Sequence, residues 1–358
     1  MSNIHVEIIP GNSQIARGAF GSIDIAVGVN STTFSSYHVA LKVLHGAVTT
    51  DNSLTLPVFN ELAALRSTSH KNIIPLLSVH AWKNDITFVF PYCPIDLSSI
   101  LQTFRFRYLK CVPIHFTRLI MKDILEGLAH CHEKHIIHCD MKPGNILLSS
   151  EGYFQLADFG LAQRTEQSLP ATGLCTLPYR PPELLLGSES YNPSIDLWGA
   201  GLIFAELLTC RTLFYGTSVL DQLSKIMDVL GTPTAESWPS IVHLPDYDKV
   251  IFEKQDGIGL QCLISKVADD ASLESILSQL IVMNPERRLS AEQALKHDWM
   301  QVEDSTERSD LIDSLVPDVY KSSTFVFSSS NFDATLEKMK QKGKEIAIAK
   351  RSERVFLK

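Results

Sequence analysis

No Cys-x-x-Cys pair occurs in this chain. Its seven cysteines, at 93, 111, 131, 139, 175, 210 and 262, are odd in number and scattered, which argues against a disulfide framework or a zinc ribbon and for a reducing compartment. No apolar run approaches membrane-spanning length, and the opening MSNIHVEIIPG has no basic region followed by an apolar core. The expectation is a soluble protein of the cytoplasm, the nucleus or both, with no membrane partner. Positive charge is in deficit: 32 Lys and Arg stand against 40 Asp and Glu, a formal −8. That balance argues against a nucleic-acid partner, so any phosphate must be gripped locally. Internal repeats are missing as well.

What is present divides in two. A chain of 358 residues, 45% hydrophobic, exceeds one small core and fits two lobes with a tail. From about Ile8 to Phe90, short apolar runs such as FGSIDIAVG, HVALKVL and ITFVF alternate with Gly, Asn and Ser breakers and read as antiparallel strands. One helix interrupts them, PVFNELAALRS, with Val58, Leu62 and Leu65 on one face and Pro57 in the first turn. After the Pro-broken PYCPIDL, helical patterns dominate, from FTRLIMKDILEGLAHCHEKH to SAEQALKHDWM. Beyond about Met300 the pattern degrades into Ser-rich sequence and a basic end.

The chemistry lies in an ordered set of residues. ARGAFGSI spaces Gly18 and Gly21 between two strands, where backbone N–H groups can approach phosphate oxygens; alone, the pair also describes an ordinary hairpin. Lys42 follows among strand formers and needs an anionic partner if it points inward, and Glu61 on the following helix is the partner the sequence offers. HCDMKPGN then sets Asp140 to accept or orient a hydroxyl proton, Lys142 to neutralise a moving phosphoryl group and Asn145 to give an oxygen to a metal. LADFGLA places Asp158 at a strand end, a carboxylate suited to magnesium chelated by triphosphate. The stretch HCHEKHIIHC invites a zinc reading, but His130 and His132 lack the i, i+4 spacing of helical ligands.

Taken together, these motifs resemble those of the eukaryotic protein kinases, from about residue 8 to 300. The resemblance implies an α+β bilobal fold, with a small antiparallel-sheet lobe holding one regulatory helix and a larger, mainly helical lobe. Its boundaries would be an extension over 1–8, a kinase domain over 9–300 (small lobe 9–90, hinge 91–96, large lobe 97–300) and a tail over 301–358. It implies ATP and Mg2+ as cofactors. Ile15, Gly18, Gly21 and Ile23 would border the nucleotide, Lys42 would hold its α- and β-phosphates, and Glu61 would hold Lys42. Phe90 would be the gatekeeper, the Cys93 amide would pair with adenine, and Asp96 would reach the ribose. Asp140 and Lys142 would be catalytic, and Asn145 and Asp158 would bind the metal. DMKPGN is similar to the serine/threonine branch. TLPYRPPELLLG, YNPSIDLWGAGLIFAELLTC and NPERRLSAEQALKHDWM resemble the cyclin-dependent kinases, which implies Glu183 paired with Arg288, Asp196 tying down the catalytic loop and Thr176 bonded near Asp140.

The departures from that pattern share a direction. Many such kinases switch on when three arginines clasp a phosphothreonine. Here those positions read Asn60, Cys139 and Gln163, and the acceptor position falls on Ala171, with Thr172 beside it and Arg164 beside Gln163. None of the three substituted side chains can clasp phosphate as a guanidinium does. Inhibitory phosphorylation sites in the glycine loop read Ala19 and Phe20, and the cyclin-binding signature aligns with TLPVFNE, agreeing only at its glutamate. The case for a cyclin partner is therefore weak. The expectation is a monomeric kinase, similar to the single-subunit kinases that activate cyclin-dependent kinases in yeasts, with other kinases as its protein substrates.

Overall fold

The computed structural model describes residues 4–8, 14–18, 21–30, 36–51, 53–108, 110–165, 173–249, 253–302 and 308; for 4–8, 14–18, 28–30 and 36–37 it describes the backbone alone. The described residues fall into two compact units, one carried by Met1–Thr55 and Pro75–Cys93, the other by Leu56–Ile74 and Pro94–Val316.

The first unit is an antiparallel sheet. Its strands are β1 (Ile4–Ile8), β2 (Gln14–Gly18), β3 (Gly21–Asn30), β4 (Ser36–Leu44), β5 (Ser78–Trp82) and β6 (Asp85–Pro91). The order is β1-β3-β4-β6-β5, and β2 pairs with the first half of β3 while β1 pairs with the second. Within the expected extension over 1–8, Ile4–Ile8 thus contribute a strand. Alternation decides the two faces. Ala26, Val39, Leu41 and Val89 pack into a buried cluster on one side. The register sets Ile23 opposite Lys42 and Lys42 opposite Phe88, and Ala40 opposite Phe90. Directly opposed residues share a face, so Ile23, Lys42 and Phe90 lie together on the other side.

The second unit begins with α1 (Leu56–Ser67). Backbone bonds tie the chain after it to the helical unit. Ile74 N donates to Leu156 O at 3.0 Å, and Leu156 N donates back to Asn72 O at 2.9 Å. The buried stripe of α1 is Val58, Glu61, Ala64 and Leu65, so Glu61 lies within the buried face and Leu62 at its margin. There follow β7 (Ile95–Asp96), α2 (Leu97–Thr103), α3 (Ile114–Glu133), β8 (Ile136–Ile137), β9 (Ile146–Leu148), β10 (Phe154–Leu156) and β11 (Gln163–Arg164). The short helix α4 (Pro182–Leu185) precedes α5 (Ser194–Thr209), which is buried along nearly its whole length, as expected of SIDLWGAGLIFAELLT. Then come α6 (Val219–Leu230), α7 (Ser265–Ala268), α8 (Ala271–Leu280) and α9 (Ala291–Leu295). No helix among the described residues is long and apolar enough to cross a membrane.

Among the described residues, two forked ion pairs brace this unit, one buried and one half-buried. Arg288 makes a two-pronged bridge to Glu183, both contacts at 2.6 Å, the pairing the sequence implied. Arg308, the one residue described beyond 302, makes a similar bridge to the fully buried Asp123, with both contacts at 2.8 Å, and lies 3.9 Å from the Tyr153 ring centre. Planar forks of this kind suit carboxylates. The basic end at 334–358 lies outside the described residues.

Candidate active site

Asp140 sits on the loop between β8 and β9, and four donors converge on it. Thr176 gives its N–H at 3.0 Å and its hydroxyl at 2.7 Å to Oδ1. Lys142 Nζ, at 2.6 Å, and Asn145 Nδ2, at 3.0 Å, give to Oδ2. Burial by itself raises the pKa of Asp140. The bonds from Lys142 and Thr176, with the Lys142 charge, outweigh it and hold the carboxyl below its ordinary value. Lys142 also reaches the Thr176 hydroxyl at 3.1 Å, so acid, lysine and threonine form one triangle.

Asp196, at the start of α5 and 1% exposed, anchors the loop. It accepts from His138 N at 2.8 Å, Cys139 N at 2.9 Å and His132 Nε2 at 2.9 Å. Those bonds hold Cys139 at a φ of 65°, a left-handed conformation that side chains other than glycine adopt at a cost of about 1–2 kcal/mol. His138 is the residue whose role the sequence did not disclose. Its ring accepts from Asp140 N at 3.3 Å, donates to Ala157 O at 3.0 Å and leans on Phe159 at 4.8 Å between ring centres. It therefore couples the Asp140 loop to the Asp158 segment. Its place two residues before Asp140 was the available signal, obscured by the surrounding histidines. Those have separate employments too: His130 stacks on His70 at 5.1 Å, and Cys131 is fully buried.

Asp158 is exposed, while its neighbour Phe159 is fully buried. A left-handed backbone at Asp158, φ 61° and ψ 71°, turns the two in different directions. Ala157 N donates to Asn145 O at 2.9 Å, which fastens the Asn145 and Asp158 segments together. Asn145 uses its amide nitrogen on Asp140, leaving its oxygen as the remaining donor atom. An amide oxygen and a carboxylate make a hard oxygen set of the kind magnesium takes.

The other candidate residues divide between the units. Ile23, Lys42 and Phe90 share a sheet face, as above, and Glu61 is 2% exposed in the second unit. Ile15 falls at a break in the β2–β3 register, and its side chain lies outside the described residues. Gly21 has a local reason to be glycine, since a Cβ there would collide with the Val43 carbonyl. Cys93 is half-buried, and burial pushes its thiol up to about 12. Asp96 caps α2, accepting from Ser99 N and Ser99 Oγ, both at 2.9 Å.

The side chains at the positions of the missing phosphate clasp meet different surroundings. Asn60 and Gln163 line a hollow of about 250 Å3, with Phe59, Ala63, Ile136 and Arg164 among its walls. The Cys139 side chain is 1% exposed in an apolar cluster with Ile137, Leu174, Cys175, Leu184 and Ile195, and its thiol bonds to the Gln163 backbone. Burial pushes the thiols of Cys139 and Cys175 well above their ordinary range, with the nearby Asp196 carboxylate adding to it. Ala19, Phe20, Ala171 and Thr172 lie outside the described residues.

The protein kinase domain profile matches residues 11–300. Cyclin-dependent kinase 15 of Mus musculus is 36% identical over 269 residues, covering 74% of this chain and 60% of that protein. The Homo sapiens protein of the same name is 36% identical over 266 residues, 73% of this chain and 59% of that one. Cyclin-dependent kinase 7 of Dictyostelium discoideum is 35% identical over 252 residues, covering 70% and 68%. The chain belongs to the protein kinase family, in its cyclin-dependent-kinase-like group. It spans about three fifths of the length of the two cyclin-dependent kinase 15 proteins, 60% and 59%.

Proposed function

We propose that this chain is an ATP- and magnesium-dependent serine/threonine protein kinase that needs no phosphate on its activation segment. Asp140 orients the acceptor hydroxyl and takes its proton. Because its pKa is held low, it works first as an acceptor and receives the proton late in the transfer. Lys142 offsets charge on the phosphoryl group in flight. Asn145 and Asp158 would hold the metal, which supplies charge neutralisation on the phosphates. As the family resemblance implies, Ile15, Gly18, Gly21, Ile23, Phe90, Cys93 and Asp96 would border the nucleotide, Lys42 would hold its phosphates and Glu61 would hold Lys42.

The observation that carries the phosphate-independent reading is Cys139. In a clasped kinase an arginine there reaches a phosphate. Here a small apolar side chain packs against Leu174 and Cys175, on the same segment whose Thr176 bonds Asp140. Apolar contact on the loop supports the segment where a charge clasp would otherwise be needed.

Independence of this kind suits an enzyme upstream of other kinases, and the activation-segment threonines of cyclin-dependent kinases are the substrates we propose, met by a monomer in the cytoplasm or nucleus. The test is to incubate bacterially made protein with a kinase-dead cyclin-dependent kinase and map the phosphate. Label confined to sites other than the activation-segment threonine removes the substrate assignment. A second reading, a kinase partnered by a cyclin, is favoured by one observation: Leu56 and Phe59 on α1 are 52% and 53% exposed. Gel filtration with an activity assay separates the two, since a silent monomer revived by a partner supports the second.

A further inference from the structure

The helical unit carries a basic and aromatic surface that phosphoryl transfer does not use. After α2 the chain runs through a π-helical turn, Phe104–Tyr108, a rare geometry that concentrates at functional sites. Phe104 is buried and holds the turn, edge-on to Tyr108 at 5.3 Å. The next four residues, Arg105 to Tyr108, are exposed, with Phe106 at 69% and Tyr108 at 41%. Each guanidinium lies over the following ring, Arg105 at 5.0 Å from Phe106 and Arg107 at 5.9 Å from Tyr108. The arginines are thus pre-set against apolar faces.

More cations gather beside them. Lys266 Nζ reaches Val112 O at 3.4 Å, and the Cys210 thiol interacts with both Cys111 and Lys266. Lys110 and Arg211, the chain neighbours of Cys111 and Cys210, are both exposed. This basic surface stands on a chain of formal charge −8, so it is local and built against the overall balance. The carboxylate known to face it is Glu206, which feels Arg105 and whose two oxygens accept from Tyr179 Oη at 2.7 Å and Thr212 Oγ1 at 3.2 Å. Glu206 is therefore engaged inward. Through Tyr179 the surface joins the segment whose Thr176 bonds Asp140.

We propose that this surface docks an acidic stretch of a protein substrate, with its aromatic rings taking apolar residues of that stretch, while the acceptor hydroxyl lies at Asp140. The proposal rests on the kinase reading and adds the class of substrate. Continuity with the Thr176 segment, which bonds the proposed proton acceptor Asp140, favours an acidic protein carrying its own hydroxyl acceptor over RNA, the other polyanion.

Two measurements test it on the full chain. The first compares a serine peptide with a Glu-rich tail against the same peptide with a neutral tail. The acidic peptide is expected to have about a tenfold higher kcat/KM, expressed in KM, and the ratio to fall towards one in the Arg105→Glu, Arg107→Glu double variant while Lys254→Glu keeps it. The second is fluorescence anisotropy with a labelled Glu- and Phe-containing peptide lacking Ser, Thr and Tyr, which should bind and weaken as salt rises. A ratio of one in the unaltered chain, no anisotropy change, or tighter binding of an oligouridylate than of the acidic peptide overturns the proposal. If neither serine peptide is phosphorylated, the kinase reading fails, and the anisotropy still decides the docking.

Discussion

His138, Cys139 and Asp140 are consecutive, yet they face two different environments. Around Asp140 nearly every polar atom is matched. Its carboxylate takes four donors, its N–H finds the His138 ring, and Asp196 collects two more donors from the same loop and one from His132 on α3. Around Cys139 the side chain meets Ile137, Leu174, Cys175 and Leu184, and burial, with the Asp196 carboxylate adding to it, pushes its thiol well up. The polar side specifies direction, because hydrogen bonds constrain angles. The apolar side supplies contact that needs no modification to form. A loop clasped by phosphate would have its second side switched on by another enzyme; under the function proposed above, a loop packed by hydrocarbon and sulfur would carry its support from the moment it folds.

That comparison can be broken from either side. Asp140→Asn should lower phosphoryl-transfer activity by about a thousandfold while leaving the fold intact, measured by kcat on a serine peptide and by circular dichroism. Activity within tenfold of the unaltered chain would mean that the polar side does not carry the chemistry. Asp196→Ala orphans the N–H groups of His138 and Cys139 and the His132 ring, and should cost about 3 kcal/mol in urea unfolding. Cys139→Arg forces a long cation into a site 1% exposed, and should cost about 2 kcal/mol. It should gain no response to an activating kinase, since Asn60 and Gln163 supply no guanidinium and Ala171 no acceptor hydroxyl; a phosphate-dependent rise in activity would sink the claim that the clasp is gone.

Acid titration gives a smaller effect. Asp140 has a folded pKa below its ordinary 3.8, so its contribution to stability is complete above that value and is lost as pH falls through the lower, folded one. Its ionisation should therefore place no limit on activity at neutral pH, checked by a pH–rate profile. Smallest of all is the thiol response. Iodoacetamide at neutral pH should label exposed Cys262 in the folded chain, with Cys139 and Cys175 labelled only on unfolding. Early loss of Cys139 would show that the apolar side opens.

Much of this site was legible because phosphoryl transfer needs particular functional groups in a fixed chain order. Asp140, Lys142, Asn145 and Asp158 could be named from chemistry, and Asp196, Thr176 and the Glu183–Arg288 pair from resemblance. Less legible were residues whose partners are distant in sequence. His138 bonds to Ala157, and Asp123 to Arg308; neither pairing leaves a periodic trace. Strand β1 hid because its five residues lack a turn signal joining them to β3. The helix α1 was recognised, but the backbone bonds between Asn72, Ile74 and Leu156 that follow it were not, since they depend on how the chain returns.

By itself the sequence determined the chemical inventory: which groups can accept a proton, hold a metal or clasp a phosphate, and that arginine is missing at 60, 139 and 163. Only the tertiary structure decided what replaced the clasp. Whether Cys139 lines an empty phosphate site or fills an apolar one depends on residues 174, 175, 184 and 195, brought to it by the return of the chain and the anchoring of its backbone on Asp196. Side-chain identity is local information; burial is a property of the neighbours.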